Sequence, residues 1–469
     1  MAGIVSYGSY VPYRRLKRSA IAAVLGTPAG KGERAIASFD EDSVSMAVEA
    51  ARDALKSAPP GDIQALIFAT TTPPYAEKLS AAVIGAAAQL PAEIRASDMT
   101  GSVRAGMSAI LQGADAVSGG AKRALVAIGD CRLAAPEGKA EQTTGDGAVA
   151  FVLGADNVIA EIEASASLTR EFLDTWRAQG ERFAHSWEER FTLTQAHSPL
   201  LGTVIKNVLE KAKVAPTDLS KIILDAPNAR AADEIARALK IDPTKFSDSF
   251  ALTVGQTGAA HAGLMLTAAL SAAKPGDCIL VATVADGADA IVLRVTPAIA
   301  AFKPVHSVGR MIESKGDVSY ANYLKWREIL PTEPPRRPDP DRPAGPPMMR
   351  SEKWKFGFIG SRCTNCGTPQ LPPQLVCVKC HKRGFMEPYQ FADRTAKIAT
   401  YAIDRLAYSL NPPTVNVVLD FDGGGRFLCE MTDCAPDKVA IGDEVEMTFR
   451  RLFTADGVNN YFWKARPRR

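Results

Sequence analysis

Four cysteines carry the plainest chemistry in this sequence. Cys363, Cys366, Cys377 and Cys380 form two CxxC pairs separated by ten residues. Each pair offers two sulfurs from one tight turn, and together they complete a tetrahedron around a borderline-soft ion such as zinc. Gly367 follows the first pair, where the chain must turn sharply. Four thiolates leave no open coordination position, so zinc here is expected to be structural. The competing readings are an iron–sulfur or rubredoxin-type iron site, and coincidence. A second stretch, "ASDMTGSVRAGMSAI" (96–110), reads as the entry to a buried helix, with Gly101, Ser102 and Val103 at its start and small residues behind them. Free N–H groups and a partial positive charge at a helix N-terminus suit an activated thiolate, yet this stretch holds no cysteine. The remaining cysteines (Cys131, Cys278, Cys429, Cys434) are scattered. That usage fits a cytoplasmic protein rather than a disulfide framework.

The elements that must position these residues alternate. "DIQALIFAT" (62–70), "RALVAIGD" (123–130) and "GAVAFVLG" (147–154) read as strands, and "DEDSVSMAVEAARDALKSA" (40–58) as a helix. Such alternation implies a layered α/β fold. The pattern also repeats. "RAGMSAILQGADAVSGGAKRALVAIGD" and "HAGLMLTAALSAAKPGDCILVATVADGADAIVLRV" (261–295) share the order of small-residue helix, turn and apolar strand, and "GDGAVAFVLG" matches "ADGADAIVLR". A duplicated half is the simplest account. Residues 331–349, rich in proline and charge, read as an extended linker. After the cysteine motif come about five short strand-like runs separated by Gly, Pro and Asp turns, the count expected of a small OB-like barrel. The chain has 469 residues, 46% hydrophobic and 23% charged, with a net charge of +3. This is ordinary for a soluble globular protein and argues against a nucleic-acid partner. No apolar run approaches the ~18–20 residues of a membrane span, and the N-terminus lacks a signal-peptide core.

Taken in order, these motifs resemble a known fusion. Residues 1 to about 300 are similar to the thiolase superfamily, closest to HMG-CoA synthase and ketoacyl-ACP synthase type III. The carriers are "GIVSYGSYVP", "PPYAEK" (73–78), the helix at 98–112, "GDGAVAFVLG" (145–154), "DAPNARAADEIARALKI" (225–241) and "VGQTGAAHAGLML" (254–266). The last 120 residues resemble the rubredoxin-like zinc ribbon plus OB-fold domain that accompanies thiolase-type proteins. The expected architecture is two duplicated thiolase-like βαβαβαββ halves, residues 1–158 and 159–300, in an α-β-α-β-α arrangement. A helical and Pro-rich linker (301–350), a zinc ribbon (351–388) and an OB-fold domain (389–469) follow.

The resemblance implies acyl-CoA substrates and carbon–carbon bond formation or cleavage through a cysteine thioester. It places the family nucleophile on Val103, with Ser102 before it. It places the HMG-CoA synthase glutamate on Thr71, the histidine before the Pro-Asn pair (Pro227, Asn228) on Asp225, and the late asparagine on Gln256. Three principal positions have lost their chemistry. Either the site is rebuilt, or related chemistry runs without a covalent intermediate, or the domain is a non-catalytic partner. Candidates for a rebuilt site are Cys131 after a strand, His261 at a helix start, Asp225 and Asn228 at a strand end, and Gln256 as an oxyanion donor. For Asp225, capping the following helix is an equal reading. Thr71, Ser102 and Gly101 are left to hydrogen-bond or cradle a thioester. Arg14, Arg15, Lys17 and Arg18 suit a CoA diphosphate or simply a solvated surface. The implied partners are an acyl-CoA, a second copy in a homodimer, and possibly a thiolase-type subunit.

Overall fold

The structure, a computed structural model, describes residues 2–333, 335–336 and 340–469. Part of the expected linker therefore lies outside the described residues, and within the rest Gly345–Arg350 forms a short helix.

The apolar runs form one nine-stranded sheet. Its strands are β1 (Gly3–Tyr10), β2 (Ile63–Ala69), β3 (Arg95–Met99), β4 (Arg123–Cys131), β5 (Asp146–Gly154), β6 (Ala160–Thr169), β7 (Lys221–Asp225), β8 (Cys278–Val284) and β9 (Gly287–Val295). Their order is β7-β8-β9-β6-β1-β5-β4-β2-β3. Outward from β1 run β5 and β4, each antiparallel to the last, then parallel β2. Outward from β6 run β9 and β8, again antiparallel, then parallel β7. The duplication read from sequence is thus a duplication of topology. The counterpart of β3 in the second half is reduced to one bridge, Ile222 to Phe246. The halves join where Gly3 and Ile4 pair antiparallel with Glu161 and Ala160.

Strand parity then sorts the side chains. On β4, Ala124, Val126 and Ile128 enter one core with helices α2 (Ala105–Ser118) and α5 (His261–Ala272). Leu125 and Ala127 enter another, with α1 (Ser43–Leu55) and the helix Ser80–Ala87. On β7, Ile223 joins the central core, while Ile222 and Leu224 pack against α3 (Ser198–Ala212) and α4 (Arg230–Leu239). Helices therefore lie outside, between and outside the two half-sheets, an α-β-α-β-α stack. Helix α1 starts cleanly because Asp42 and Ser45 form a reciprocal capping box.

The C-terminal strands β10 (Ala396–Asp404), β11 (Thr414–Phe421), β12 (Arg426–Met431), β13 (Glu444–Ala455) and β14 (Val458–Pro467) close a barrel in the order β10-β11-β12-β14-β13. It packs against α1 and the residues just before it through buried charge, with Asp433 of the C-terminal part helping to hold Arg450. Arg450 pairs with Glu41 (2.7 Å) and Asp433 (2.6 Å), Lys464 with Asp40 (3.0 Å), and Arg466 with Glu49 (3.0 Å).

Candidate functional site

The central layer gathers polar groups where strands β2, β4 and β7 end and helices α2 and α5 begin. Parity decides which. Asp130, two residues beyond Ile128, turns inward; Thr71 follows the inward Ala69, and Asp225 follows the inward Ile223. The Asp130 carboxylate accepts from the hydroxyls of Thr70 (2.8 Å), Thr71 (3.0 Å) and Thr72 (3.0 Å), and from the N–H groups of Thr71 (2.6 Å) and Ala259 (2.7 Å). It ties the first half to the turn that opens α5. Gly258 in that turn has φ +60°, and a Cβ there would collide with the Asp130 carboxylate. Only glycine fits.

Around this knot lie three of the residues singled out by sequence. Gln256 donates to Asp225 Oδ1 at 3.3 Å and accepts the Gly258 N–H at 3.0 Å. The Thr257 N–H points at His261 Nδ1 (3.3 Å), so the neutral ring carries its proton on Nε2. Both titrating groups are buried. Burial lowers the His261 pKa, against the pull of Asp225. Burial also raises that of Asp225, against His261 and its hydrogen bonds. Buried together, each drifts towards its neutral form, the condition for moving a proton near neutrality. Asn228 stands apart: its Oδ1 accepts the Arg230 N–H at the entrance of α4. Asn228 therefore makes the turn into the helix, the task weighed for Asp225, which faces Gln256 instead.

The turn at Gly101–Val103 leads into α2, and Ser102 Oγ accepts the Arg104 N–H at 3.3 Å. Gly106, in the first turn of α2, is pressed against the Ala259 carbonyl. The two helix entries thus meet. Arg104 is spent on Asp289, through Nε at 2.7 Å and Nη2 at 2.9 Å.

Cys131 is not brought to this group. As the neighbour of Asp130 on one strand it faces the opposite way, among Asp146, Arg327, Asp42 and Glu41, and burial pushes its thiol pKa well up. Cys278 lies in the core of α3 and α4. Among the described residues no cysteine side chain enters the central core. Of the basic cluster, Arg14 stacks on Tyr13, Arg15 donates to the Met311 carbonyl, Lys17 pairs with Asp317, and Arg18 donates to the carbonyls of Lys31 and Ala251. The fold itself uses all four.

Sequence reasoning missed Asp130 and Arg132. Arg132 Nη1 donates to the Thr71 hydroxyl at 2.5 Å and its charge reaches Asp225. The signal was available: Asp130 sits on the inward parity of β4, and Arg132 opens the loop at its end.

In the ribbon, the sulfurs of Cys363, Cys366, Cys377 and Cys380 all lie within 4.8 Å of one another. The Cys363–Cys380 and Cys366–Cys377 separations are 3.6 and 3.5 Å. Thiolates about 2.3 Å from a tetrahedral zinc stand about 3.8 Å apart, so these four residues fit the ion. The N–H of Lys379 points at Cys377 Sγ (3.4 Å), and Gly367 has φ +73°. Both are features of a thiolate knuckle.

Duplicated half-sheets enclosing paired helices define the thiolase-like class of α/β protein, here with a zinc ribbon and an OB-fold barrel at the C-terminal end. Residues 209–295 match the 3-oxoacyl-[acyl-carrier-protein (ACP)] synthase III C terminal. Residues 357–385 match the ChsH2 rubredoxin-like zinc ribbon domain, and residues 389–450 the ChsH2 C-terminal OB-fold domain. The hydroxymethylglutaryl-CoA synthase of Methanopyrus kandleri is 32% identical over 342 residues, covering 70% of this chain and 97% of that protein. That of Archaeoglobus fulgidus is 33% identical over 343 residues, covering 70% and 99%. The chain belongs to the hydroxymethylglutaryl-CoA synthase family. Among solved structures, 3-oxoacyl-[acyl-carrier-protein] synthase III from Aquifex aeolicus VF5 aligns with a TM-score of 0.57 at 25% identity, covering 63% of this chain and all of that one. An HMG-CoA synthase complexed with CoA shares the fold, with a TM-score of 0.60 at 17% identity, covering 69% and 89%.

Proposed function

We propose that this protein binds acyl-CoA thioesters and makes or breaks a carbon–carbon bond by Claisen or aldol chemistry, without acylation at position 103. The observation that supports this reading is the buried Asp225–Gln256–His261 group at the entry of α5, beside the helix entry where the family resemblance puts Val103 at the nucleophile position. The N–H groups of the Gly101–Val103 turn remain free to hold a thioester carbonyl or an oxyanion, and Val103 gives the acyl chain an apolar wall. His261 and Asp225 then move the proton at the reacting carbon, and Gln256 holds Asp225. Cleavage of a β-hydroxy thioester needs only a base and an oxyanion site, so it tolerates the loss of a covalent step. Four thiolates in the ribbon hold one structural zinc. The protein works as a homodimer, the sheet extending across a twofold axis from one of its two terminal strands, β3 or β7.

The second reading is a non-catalytic CoA-binding or scaffolding subunit beside a true thiolase. The observation favouring it is that no cysteine enters the central core among the described residues. Incubation with a panel of acyl-CoA and β-hydroxyacyl-CoA thioesters separates the two. Product formation that falls with His261→Ala, with no adduct on the intact protein by mass spectrometry, supports the enzyme. Binding without turnover, together with co-purification of a thiolase-type protein, supports the scaffold. An acyl adduct on Cys131 would overturn the non-covalent step.

A further inference from the structure

The apolar side chains that the zinc ribbon leaves outside fall in one small hairpin. The Gly384 N–H donates to the Leu375 carbonyl (3.2 Å), Val376 bridges antiparallel to Arg383, and the Cys377 N–H donates to the Lys382 carbonyl (3.1 Å). Cys377 turns inwards to the thiolate cluster and is buried, which sends its neighbours Val376 and Val378 outwards. Leu375 is 71% exposed, Val378 64%, Phe385 46% and Val376 45%. Single apolar residues are common on any protein surface, but four on one hairpin make a patch.

The charges around this patch are all of one sign. Lys379, Lys382 and Arg383 belong to the same hairpin and are exposed. The chain has no Asp or Glu between Glu352 and Glu387, and Glu387 is taken by Arg362 (2.7 Å). Among the described residues none of the three cations forms an ion pair within 4.0 Å. Lys382 donates to Asn365 Oδ1 (2.8 Å) and its Nζ lies 5.5 Å from the centre of the Phe385 ring, so charge and ring stand side by side. Four thiolates outweigh the charge of a zinc ion, but Cys363 and Cys377 are buried, whereas the three cations are outside. The barrel loop that exposes Leu406 and Tyr408 makes the contrast: Asp404 stands beside Arg405 there, with no excess of cations.

A partner protein matches this patch poorly. A stable protein interface draws about 20–30 residues from each side and keeps lysine out of its centre, whereas here four apolar side chains stand among cations. The boundary between lipid headgroups and acyl chains matches it well, because apolar side chains can enter there while long cationic ones stay among anionic headgroups. Among the described residues no helix is long and apolar enough to cross a membrane, so such a contact is peripheral.

We propose that the 375–385 hairpin of the zinc ribbon docks on an anionic lipid surface. Leu375, Val376, Val378 and Phe385 enter the boundary of headgroups and acyl chains, and Lys379, Lys382 and Arg383 hold the headgroups. The ribbon's four thiolates, closed on their ion, keep the hairpin in the shape that groups these side chains. None of them belongs to the central layer, so the surface works whatever the central site does.

The test is co-sedimentation of the zinc-loaded full chain with vesicles of phosphatidylcholine, alone or with about a third of the lipid replaced by phosphatidylglycerol. Each cation near an anionic surface is worth about fivefold in binding, so three predict a preference of about a hundredfold for the anionic vesicles. That binding should weaken as salt rises. Lys379→Gln combined with Arg383→Gln should cost roughly 10–30-fold on anionic vesicles, and Phe385→Gln about tenfold. Leu406→Gln, on the barrel loop, should leave binding unchanged. The zinc content of each variant reports an intact ribbon, and Leu375→Gln, the most exposed of the four, carries the test if another variant loses its metal. Failure of the wild type to bind anionic vesicles, or equal binding to neutral ones, would overturn the docking surface. Loss of binding in Leu406→Gln but not in the ribbon variants would move the contact to the barrel and overturn it equally. A dimer in sedimentation that Phe385→Gln splits, without vesicle binding, would give the patch to a second copy of the chain instead.

Discussion

His261 and Asp225 are the residues on which the proposed chemistry turns. His261→Ala is expected to lower the turnover of a responsive thioester by roughly 10²–10⁴-fold, the usual worth of a positioned acid or base, with a smaller change in thioester affinity. Steady-state rates against binding constants make the comparison. Asp225 has its pKa raised and His261 lowered by burial, so the pH–rate profile should have limbs closer together than free Asp and His would give. Asp225→Asn should remove the acidic limb. Gly258→Ala tests the knot rather than the chemistry. Its φ of +60° and the clash with Asp130 should cost about 1–3 kcal/mol of stability, read from thermal or denaturant unfolding. At this scale the sequence was half legible. The structure brings His261, Asp225 and Gln256 together, residues that the motifs "DAPN" and "VGQTG" singled out through the family resemblance. Cys131 and Asn228 looked equally chemical. Facing separates Cys131, since one step along a strand moves a residue to the other side of the sheet, and Asn228 is separated by its hydrogen bond to the Arg230 N–H in the turn into α4.

Among the elements, the ribbon depends most on something other than its own core. Its strands Ile359–Cys363, Pro369–Gln370 and Met386–Gln390 are short, and Leu375, Val376, Val378 and Phe385 are exposed. Such a unit draws its folding energy from the ion. Metal analysis of the full chain should find one zinc. A strong chelator, or Cys366→Ser, should release it and open residues 357–385 to proteolysis, with the duplicated half-sheets intact. A metal-free chain with a protease-resistant ribbon would refute the structural role. The elements were more legible than the site. The strands read at 62–70, 123–130 and 147–154 lie within a residue of β2, β4 and β5, because long apolar runs bounded by turns leave little freedom. The helix read at 40–58 is shorter, Ser43–Leu55, because the Asp42 cap sets its start. Within the stretch read as extended, 331–349, the last five residues instead fall in the helix Gly345–Arg350, where two prolines open the helical turn instead of breaking it.

At the scale of the whole molecule, buried ion pairs join the barrel to the first half. Arg450 lies among Asp40, Glu41 and Asp433, all fully enclosed. Arg450→Met should cost about 3–5 kcal/mol, because three carboxylates lose their common partner. Replacing the cluster together with apolar residues should cost far less. His306 bridges Asp53 (2.6 Å) and Glu446 (3.6 Å). Burial alone would lower its pKa, but the two carboxylates prevail and raise it above 6.5. Its contribution is therefore full at pH below about 6.5 and is lost as pH rises through the higher folded value. Asp40 acts in the opposite sense: burial raises its pKa, but Lys464 and Arg450 outweigh this and hold it at about 2. Its share is present above the ordinary carboxylate range and is lost as pH falls towards 2. Unfolding measured from pH 5 to 9 should show the alkaline loss, and His306→Gln should flatten it. None of this was legible in sequence, since the partners that join the barrel to the first half, such as Arg450 and Asp40, lie far apart along the chain.

The opposed facing of Asp130 and Cys131 has a practical consequence. The half-buried thiol packs against the core that α1 shares with the barrel, and Asp42, close by, accepts the Tyr461 hydroxyl at 2.7 Å. Cys131 is thus a natural spectroscopic handle for the joint between the two parts of the chain. Its alkylation rate by a small maleimide would clock the opening of that joint, and a substrate in the central layer would leave the clock running at the same speed.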